Sequence, residues 1–314
     1  MVSVNKQSPF CTVLMAVHNG MPYVKETVES ILNQTYKHFE FLIIDDCSSD
    51  GTAPFLQNIQ DRRLRVIRNN KNLRLAPSLN KGISAAKGKY IIRIDADDIA
   101  DPERIEKQVA FMEKNLDIGV CGSFLQTMGA VQKDWKFPVT NEAIKARLLF
   151  DNVLMHPTVI MRRKVFTKNN IFYRVESNGS EDYDLWIQMM NEIKFANLDE
   201  YLLRYRIHEG QMSMDKDQKE HADTIRLQIL DELGLNGEVV QKNYWKLLEH
   251  STITNRRDLF ELAFTVNSIV SKAKRCSWLQ EEAVKKELET RWAIMTRHYS
   301  EESVLYKTVN KWIW

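Results

Sequence analysis

No run in this chain reaches the roughly 18 consecutive apolar residues that a membrane-spanning helix needs. The polar opening from Met1 to Pro9 also lacks the apolar core of a secretion signal. The expectation is a protein that is soluble or held peripherally at a membrane surface. Cysteine is scarce: Cys11, Cys47, Cys121 and Cys276 are scattered and form no C-x-x-C pair. That excludes a thiolate zinc site and a disulfide framework, and it points to a reducing, cytoplasmic home. An excess of one charge is missing too. The 44 lysines and arginines against 42 aspartates and glutamates leave a formal charge of +2, too balanced for nucleic acid as the main partner. There is no internal repeat, no low-complexity linker, and no glycine-rich phosphate loop with a basic residue near the N-terminus. The last absence argues against a nucleotidyltransferase on an α/β sheet, since His18-Asn19-Gly20 offers little of that kind.

What is present suits a globular chain. At 314 residues with 44% hydrophobic and 27% charged side chains, it can bury one full core and a smaller second unit. Phe10 to Val17 is a short apolar β-forming run, followed by a helix from Pro22 that carries Val24, Val28, Ile31 and Leu32 on one face. Strand and helix then alternate: Phe39 to Ile44, a helix after Gly51, Leu64 to Ile67, Ala76 to Ala86, and Tyr90 to Ile94. This spacing predicts a doubly wound, mostly parallel sheet of the Rossmann-like α/β class, with helices on both faces. Val120 to Leu125 and Pro157 to Met161 read as further strands around a helix over Asn141 to Phe150. Tyr183 to Asn191 reads as a helix, and two short strands follow near Lys194 to Asn197 and Leu202 to Arg206. From about Asp217 the pattern is helical and charged, with apolar positions such as Ile225, Ile229 and Leu233. The expected division is residues 1–215 as the catalytic domain and 216–314 as a small helical domain.

The strongest chemical signal is Asp95-Ala96-Asp97-Asp98, where the apolar strand Tyr90 to Ile94 empties into three carboxylates. Clustered anions leaving a buried strand are costly unless a cation neutralises them. Oxygen ligands of this kind suit Mg or Mn, which commonly share their coordination with a substrate phosphate. Capping of the helix at Asp101-Pro102-Glu103 is the plainer reading of the same acids. Against it, three predicted strand ends carry His18-Asn19-Gly20, Asp45-Asp46 and Asp95 to Asp98. In parallel sheets, ligands sit beyond those carboxyl ends.

With these residues in place the chain resembles a family 2 glycosyltransferase of the GT-A fold, over roughly residues 9 to 215. The likeness rests on motifs in the family's order: Val13 to Gly20, Ser30 to Tyr36, Ile44 to Thr52, Asp95-Ala96-Asp97, His156-Pro157-Thr158, Glu181-Asp182-Tyr183 and Tyr205-Arg206-Ile207-His208. Within the family, Asp95 to Pro102 and Tyr205 to Ser213 look most like bacterial lipooligosaccharide β-1,3-N-acetylglucosaminyltransferases. The resemblance implies a UDP-sugar donor, with Asp46 accepting the uracil N3 hydrogen and Ala16 meeting the base through its backbone. His18 stands where relatives stack a tyrosine, Arg74 touches uracil or phosphate, Asp95 reaches the ribose, and Ala96 is a further donor-binding residue. It implies Mn2+ or Mg2+ held by Asp97 and His208, with Asp98 as an outer or capping group. Asp182 would be the general base of an inverting transfer, favoured as the anion at its helix start. Glu181 would support it, and Tyr183, Asp184 and Trp186 are candidates for the acceptor side, although a Trp at that spacing equally reads as core.

The implied reaction moves GlcNAc from UDP-GlcNAc to a terminal galactose of a lipooligosaccharide or other surface glycan. UDP-galactose or UDP-glucose as donor, and a catalytically silent sugar-nucleotide-binding module, are the competing readings. The segment Tyr306 to Trp314 mixes Lys307 and Lys311 with Trp312 and Trp314, a composition met at membrane interfaces and equally in helix packing or a dimer contact. A lipid-linked acceptor would make such surface docking useful, at the inner face of the cytoplasmic membrane.

Overall fold

The alternating runs of the first hundred residues become, in the computed structural model, β1 (Cys11–Val17), α1 (Val24–Leu32), β2 (Phe39–Asp45), α2 (Thr52–Gln57), β3 (Leu64–Arg68), α3 (Leu75–Ala85) and β4 (Tyr90–Arg93). The structure describes residues 9–177, 179–208, 216–297 and 304–313. β2 is buried along its whole length, as a parallel strand covered on both faces should be. Its one interior charge, Glu40, accepts hydrogen bonds from Thr12 Oγ1 at 2.8 Å and Lys87 N at 2.7 Å and pairs with Arg65 at 3.1 Å, so burial leaves it no unmet demand. β1 pairs in parallel with both β2 and β4, and β2 with β3, giving the order β3-β2-β1-β4. The winding therefore reverses between β1 and β4, the point beyond whose carboxyl ends ligands sit in sheets of this class.

The chain continues through β5 (Ile99–Ala100), α4 (Arg104–Lys114), β6 (Ile118–Gly129), β7 (Asp134–Trp135), α5 (Asn141–Leu148), β8 (Ile160–Arg162), α6 (Lys164–Asn169), α7 (Glu181–Met189) and β9 (Lys194–Ile207). These strands extend the sheet as β8-β6-β9-β5, with β7 paired to β6. β8 runs antiparallel to β4 and β6, β9 parallel to β6, and β5 antiparallel to β9. Two expectations are corrected here. The strand foreseen from Pro157 starts only at Ile160, because Pro157 lies in a 3₁₀ turn over His156–Thr158. The two short strands after residue 194 are one long strand, whose register with β6 slips past Asp199 and Glu200 as a bulge does.

The chain separates into two compact units. One comprises the residues up to Val139 and Leu154–Ala222; the other comprises Thr140–Val153 and everything from Asp223. The second is helical: α5, the end of α8 (Lys216–Glu232), α9 (Glu238–Glu249), α10 (Arg256–Ala273), α11 (Glu281–Met295) and α12 (Val304–Ile313). Its mid-chain piece is held by aromatic and ionic contacts. The Phe150 ring stacks on Tyr244 at 5.4 Å, and the guanidinium of Arg291 lies 4.1 Å over Phe150 while donating to Asp151 Oδ2 at 2.6 Å and Leu247 O at 2.9 Å. Among the described residues no helix is long and apolar enough to cross a membrane. Cys11 and Cys121 are buried, which pushes both thiols up to about 12 and leaves them inert core residues.

Candidate active site

The loops after β1 and β2 are knitted together before any ligand arrives. Asn19, at φ +53°, receives a hydrogen bond from Ser49 N at 2.8 Å on its side-chain oxygen and donates its own N–H to Ser48 Oγ at 2.9 Å. Gly20 N donates to Thr52 Oγ1 and Met21 N to Asp50 Oδ2, each at 2.9 Å. The polar run after β2 thus shapes the loop after β1. His18 is exposed on this rim. Its Nδ1 lies 2.8 Å from the Asp46 carbonyl, which only accepts, so Nδ1 carries the hydrogen and Nε2 receives Asn19 Nδ2 at 3.2 Å. Ala16 sits half-buried one residue before the end of β1.

Asp46 is 3% exposed and organises the next loop. Its Oδ1 accepts from Asn69 Nδ2 at 2.7 Å and Leu73 N at 2.8 Å, and its Oδ2 accepts from Arg74 N at 2.8 Å. Arg74 adopts φ +70°, ψ 179°, a region nearly reserved for glycine and one that costs about 1–3 kcal/mol. The carboxylate is what holds the backbone there, and it draws Arg74 to the site through its main chain. Asn69, which sequence reasoning missed, is buried and also binds Ser78 Oγ at 2.9 Å and Lys81 Nζ at 2.7 Å. The only signal for it was an asparagine just past a strand end.

The acidic motif follows β4. Asp97 Oδ2 lies 2.9 Å from His208 Nε2, at the end of β9. Burial and the charge of Asp95 raise the Asp97 carboxyl above its ordinary range, and His208 opposes the rise. Asp95 is ion-paired with the buried Arg93. Asp98 is fully buried: its Oδ1 accepts Arg206 N at 2.9 Å, its Oδ2 has no partner among the described residues, and burial together with Asp95 and Asp97 pushes its carboxyl well up. Ala96 is half-buried against the core. Three carboxylates crowd one loop, one with an orphaned buried oxygen, beside an imidazole in contact; this donor set fits a divalent cation. Among the described residues no three His, Cys, Asp or Glu side chains form a ready metal cage, so an ion there needs further ligands from elsewhere.

The helix α7 begins with Glu181 and Asp182, and the Glu181 charge reaches the buried Arg93 that pairs with Asp95. Glu181 is buried, its Oε2 accepts Gly179 N at 2.7 Å, and burial plus the Asp182 charge lift its carboxyl to about 7. Asp182 is partly exposed and its Oδ1 accepts Tyr183 N at 2.7 Å. Tyr173 is buried near both. Burial raises its phenol, opposed by Arg93, and Asp182, Glu181 and Asp95 all add to the rise, so Asp95 and the two α7 carboxylates lie within electrostatic reach of one hydroxyl. That hydroxyl is 2.7 Å from His156 Nε2, and burial and the Arg93 charge keep His156 neutral. The acceptor-side candidates on α7 are corrected. Trp186 is fully buried with its indole N–H on Leu154 O at 3.0 Å and is core, as the helical spacing also allowed; Tyr183 is buried as well, and buried Asp184 pairs with Arg174 at 3.2 Å.

A sheet of this order, with polar residues at its carboxyl ends, has the α/β architecture of the GT-A fold. S. aureus TarS 1-349, solved with UDP-GlcNAc, has the same fold at a TM-score of 0.59 and 18% identity, covering 92% of this chain and 82% of that one. The profile of the family described as "Glycosyl transferase family 2" matches residues 12–169. An uncharacterized glycosyltransferase of Haemophilus influenzae is 34% identical over 262 residues, which is 77% of this chain and 80% of its own length. The Escherichia coli UDP-Glc:alpha-D-GlcNAc-diphosphoundecaprenol beta-1,3-glucosyltransferase WfaP is 31% identical over 213 residues, 65% of this chain and 80% of its own. The chain belongs to glycosyltransferase family 2 and is a glycosyltransferase.

Proposed function

We propose that this glycosyltransferase carries out an inverting, divalent-cation-dependent transfer from a UDP-sugar, UDP-GlcNAc first among them, to a hydroxyl of a lipid-linked surface glycan. The linkage in this reading is β-1,3 to a terminal galactose. The observation that carries it is the meeting of Asp97 and His208 at 2.9 Å, beside the loop that Asp46 holds with three N–H donors. A carboxylate has about four acceptor positions, so Asp46 keeps one for the N3–H of uracil; cytosine has no hydrogen there. His18 offers an exposed ring to the base, Ala16 its backbone, and Arg74 an exposed side chain beside them. Asp95, turned by Arg93, would take a ribose hydroxyl. Asp97 and His208 would hold the cation, which neutralises the diphosphate as its negative charge grows.

Asp182 would take the proton of the acceptor hydroxyl while that oxygen bonds to the anomeric carbon and the bond from carbon to diphosphate oxygen breaks. Buried Glu181, with its carboxyl raised to about 7, would fix the mouth of α7. The name of WfaP, with UDP-Glc as donor and a diphosphoundecaprenol-linked acceptor, supports UDP-glucose as the second reading and a lipid carrier for the acceptor. On α12, Lys307, Lys311 and the 54% exposed Trp312 offer a surface for contact with the carrier's membrane; Trp314 lies outside the described residues. The test is hydrolysis and transfer with purified protein across a panel of sugar nucleotides, with and without Mn2+, followed by a glycan acceptor array. Turnover of a UDP-sugar that Mn2+ stimulates and Asp97→Ala abolishes is the expected result. Equal rates in EDTA, or preference for a guanine or cytosine donor, would overturn it.

A further inference from the structure

Neither the donor, the cation nor the base accounts for Tyr23 and Glu26, which α1 and the residue before it present to the end of β9. Arg206, two residues before His208, meets both. Its NH2 donates to Glu26 Oε2 at 2.9 Å, its Nε donates to the Asp97 carbonyl at 2.8 Å, and its guanidinium lies 4.6 Å from the Tyr23 ring. Its backbone N–H reaches Asp98 Oδ1 at 2.9 Å. The same Tyr23 ring stands 4.8 Å from the His208 imidazole, tilted by 42°. His208 lies one position beyond the last ladder pair of β9, Ile207 with Gly129, so the ladder pairing does not reach the residue that carries the imidazole.

We propose that Tyr23 and Glu26 are positioning residues for the divalent cation: through Arg206 and by direct ring contact they clamp the Asp97 loop and His208 at ligating separation. The proposal rests on the reading that Asp97 and His208 hold the ion. Glu26 is 57% exposed in its ion pair, and such a pair adds little to folding stability. Its effect is orientational. A guanidinium held at one end by Glu26 and stacked on Tyr23 has its Nε aimed at the Asp97 carbonyl, and the ring that receives this cation also lies against the imidazole. Groups one shell out from a metal commonly change its affinity by about 10–100-fold, because they fix the ligands before the ion arrives.

The test titrates Mn2+ into the full chain by electron paramagnetic resonance, with and without UDP, and separately measures UDP alone by calorimetry. Glu26→Lys, which sets two cations against each other, is expected to weaken Mn2+ binding about tenfold or more, and Tyr23→Ala about tenfold. Tyr23→Phe keeps both ring contacts and should bind as the wild type does. UDP affinity in EDTA should stay within about twofold throughout. If wild type binds no Mn2+, the cation reading falls and the clamp with it. If wild type binds but Glu26→Lys and Tyr23→Ala bind equally well, the clamp alone is overturned; it is overturned as well if metal-free UDP affinity drops in parallel. Should Tyr23→Ala unfold, the surface variant Glu26→Lys decides the matter: weakened Mn2+ binding upholds the clamp and unchanged binding overturns it.

Discussion

Replacing Asp46 by Asn keeps the side chain's size and removes its ability to accept on both oxygens. Three donors converge there: Asn69 Nδ2 and Leu73 N on one oxygen, Arg74 N on the other. Either way the new amide turns, its NH2 faces at least one N–H, so a donor is left unmet in a site only 3% exposed. Loss of a hydrogen bond to a charged acceptor costs about 1.5–3 kcal/mol, and an unsatisfied buried donor about 1–3 kcal/mol. Arg74, at φ +70° and ψ 179°, would relax once its anchor weakened, taking residues 69–75 out of the donor site. Partial relaxation returns some of that energy, and a net loss of about 3 kcal/mol, near a hundredfold in UDP affinity, is expected. Calorimetry with UDP reads the affinity, and hydrogen exchange at the Leu73 and Arg74 amides reads the loop. A UDP affinity within threefold of wild type, with those amides still protected, would refute the reasoning.

Asp182→Asn should leave UDP binding intact while transfer to acceptor falls by about 100-fold or more, the lower range for loss of a general base; near-normal turnover would assign the base elsewhere. Glu181 titrates near 7 in the folded protein against an ordinary 4.5, so the folded state holds a proton that the unfolded chain releases. Its contribution to stability is therefore full below about pH 4.5 and is lost as pH rises towards 7. Glu181→Gln should flatten that part of the pH–stability curve and raise Tm relative to wild type at pH 7.5, as thermal melts in matched buffers would show. A Cβ at Gly88 would meet Thr12 N at 2.3 Å, Cys11 C at 2.5 Å and Tyr90 O at 2.7 Å, all backbone where β1 and β4 pair. Gly88→Ala should cost about 1–3 kcal/mol in urea unfolding; no change would mean that these strands can part freely. Truncation after residue 303 should reduce flotation with anionic liposomes if α12 contacts the membrane, and unchanged flotation would remove that role.

Much of the first unit could be read from residues because its signals are local. Apolar runs from Phe10, Phe39 and Tyr90, each closing on His18, Asp46 or Asp95, fix both the strand and the end at which polar groups collect. Asp97 and His208 lie more than a hundred positions apart in sequence, and resemblance to a family paired them where spacing could not. What escaped were contacts of long sequence separation with no compositional mark. Glu26 reads as an ordinary first-turn acid of an amphipathic helix, and only the arrival of Arg206 across the sheet gives it a second meaning. Asn69 reads as turn residue, yet it is buried between Asp46, Ser78 and Lys81.

The helical unit was hard to read for a different reason. Apolar periodicity announces a buried face without naming what buries it, and one partner of α11, the helix α5, lies over a hundred residues upstream. Arg291 shows why. In sequence it is one more charge on a charged helix, and in the fold it is fully buried, because Glu287, Asp151 and Leu247 O together satisfy its guanidinium. A buried charge is stable only where such partners converge, so its burial is a property of the tertiary arrangement rather than of the helix that carries it. At the acidic loop the same holds only in part: Arg206 N, from another strand, meets Asp98 Oδ1, while Oδ2 stays unpartnered among the described residues and burial pushes the carboxyl well up.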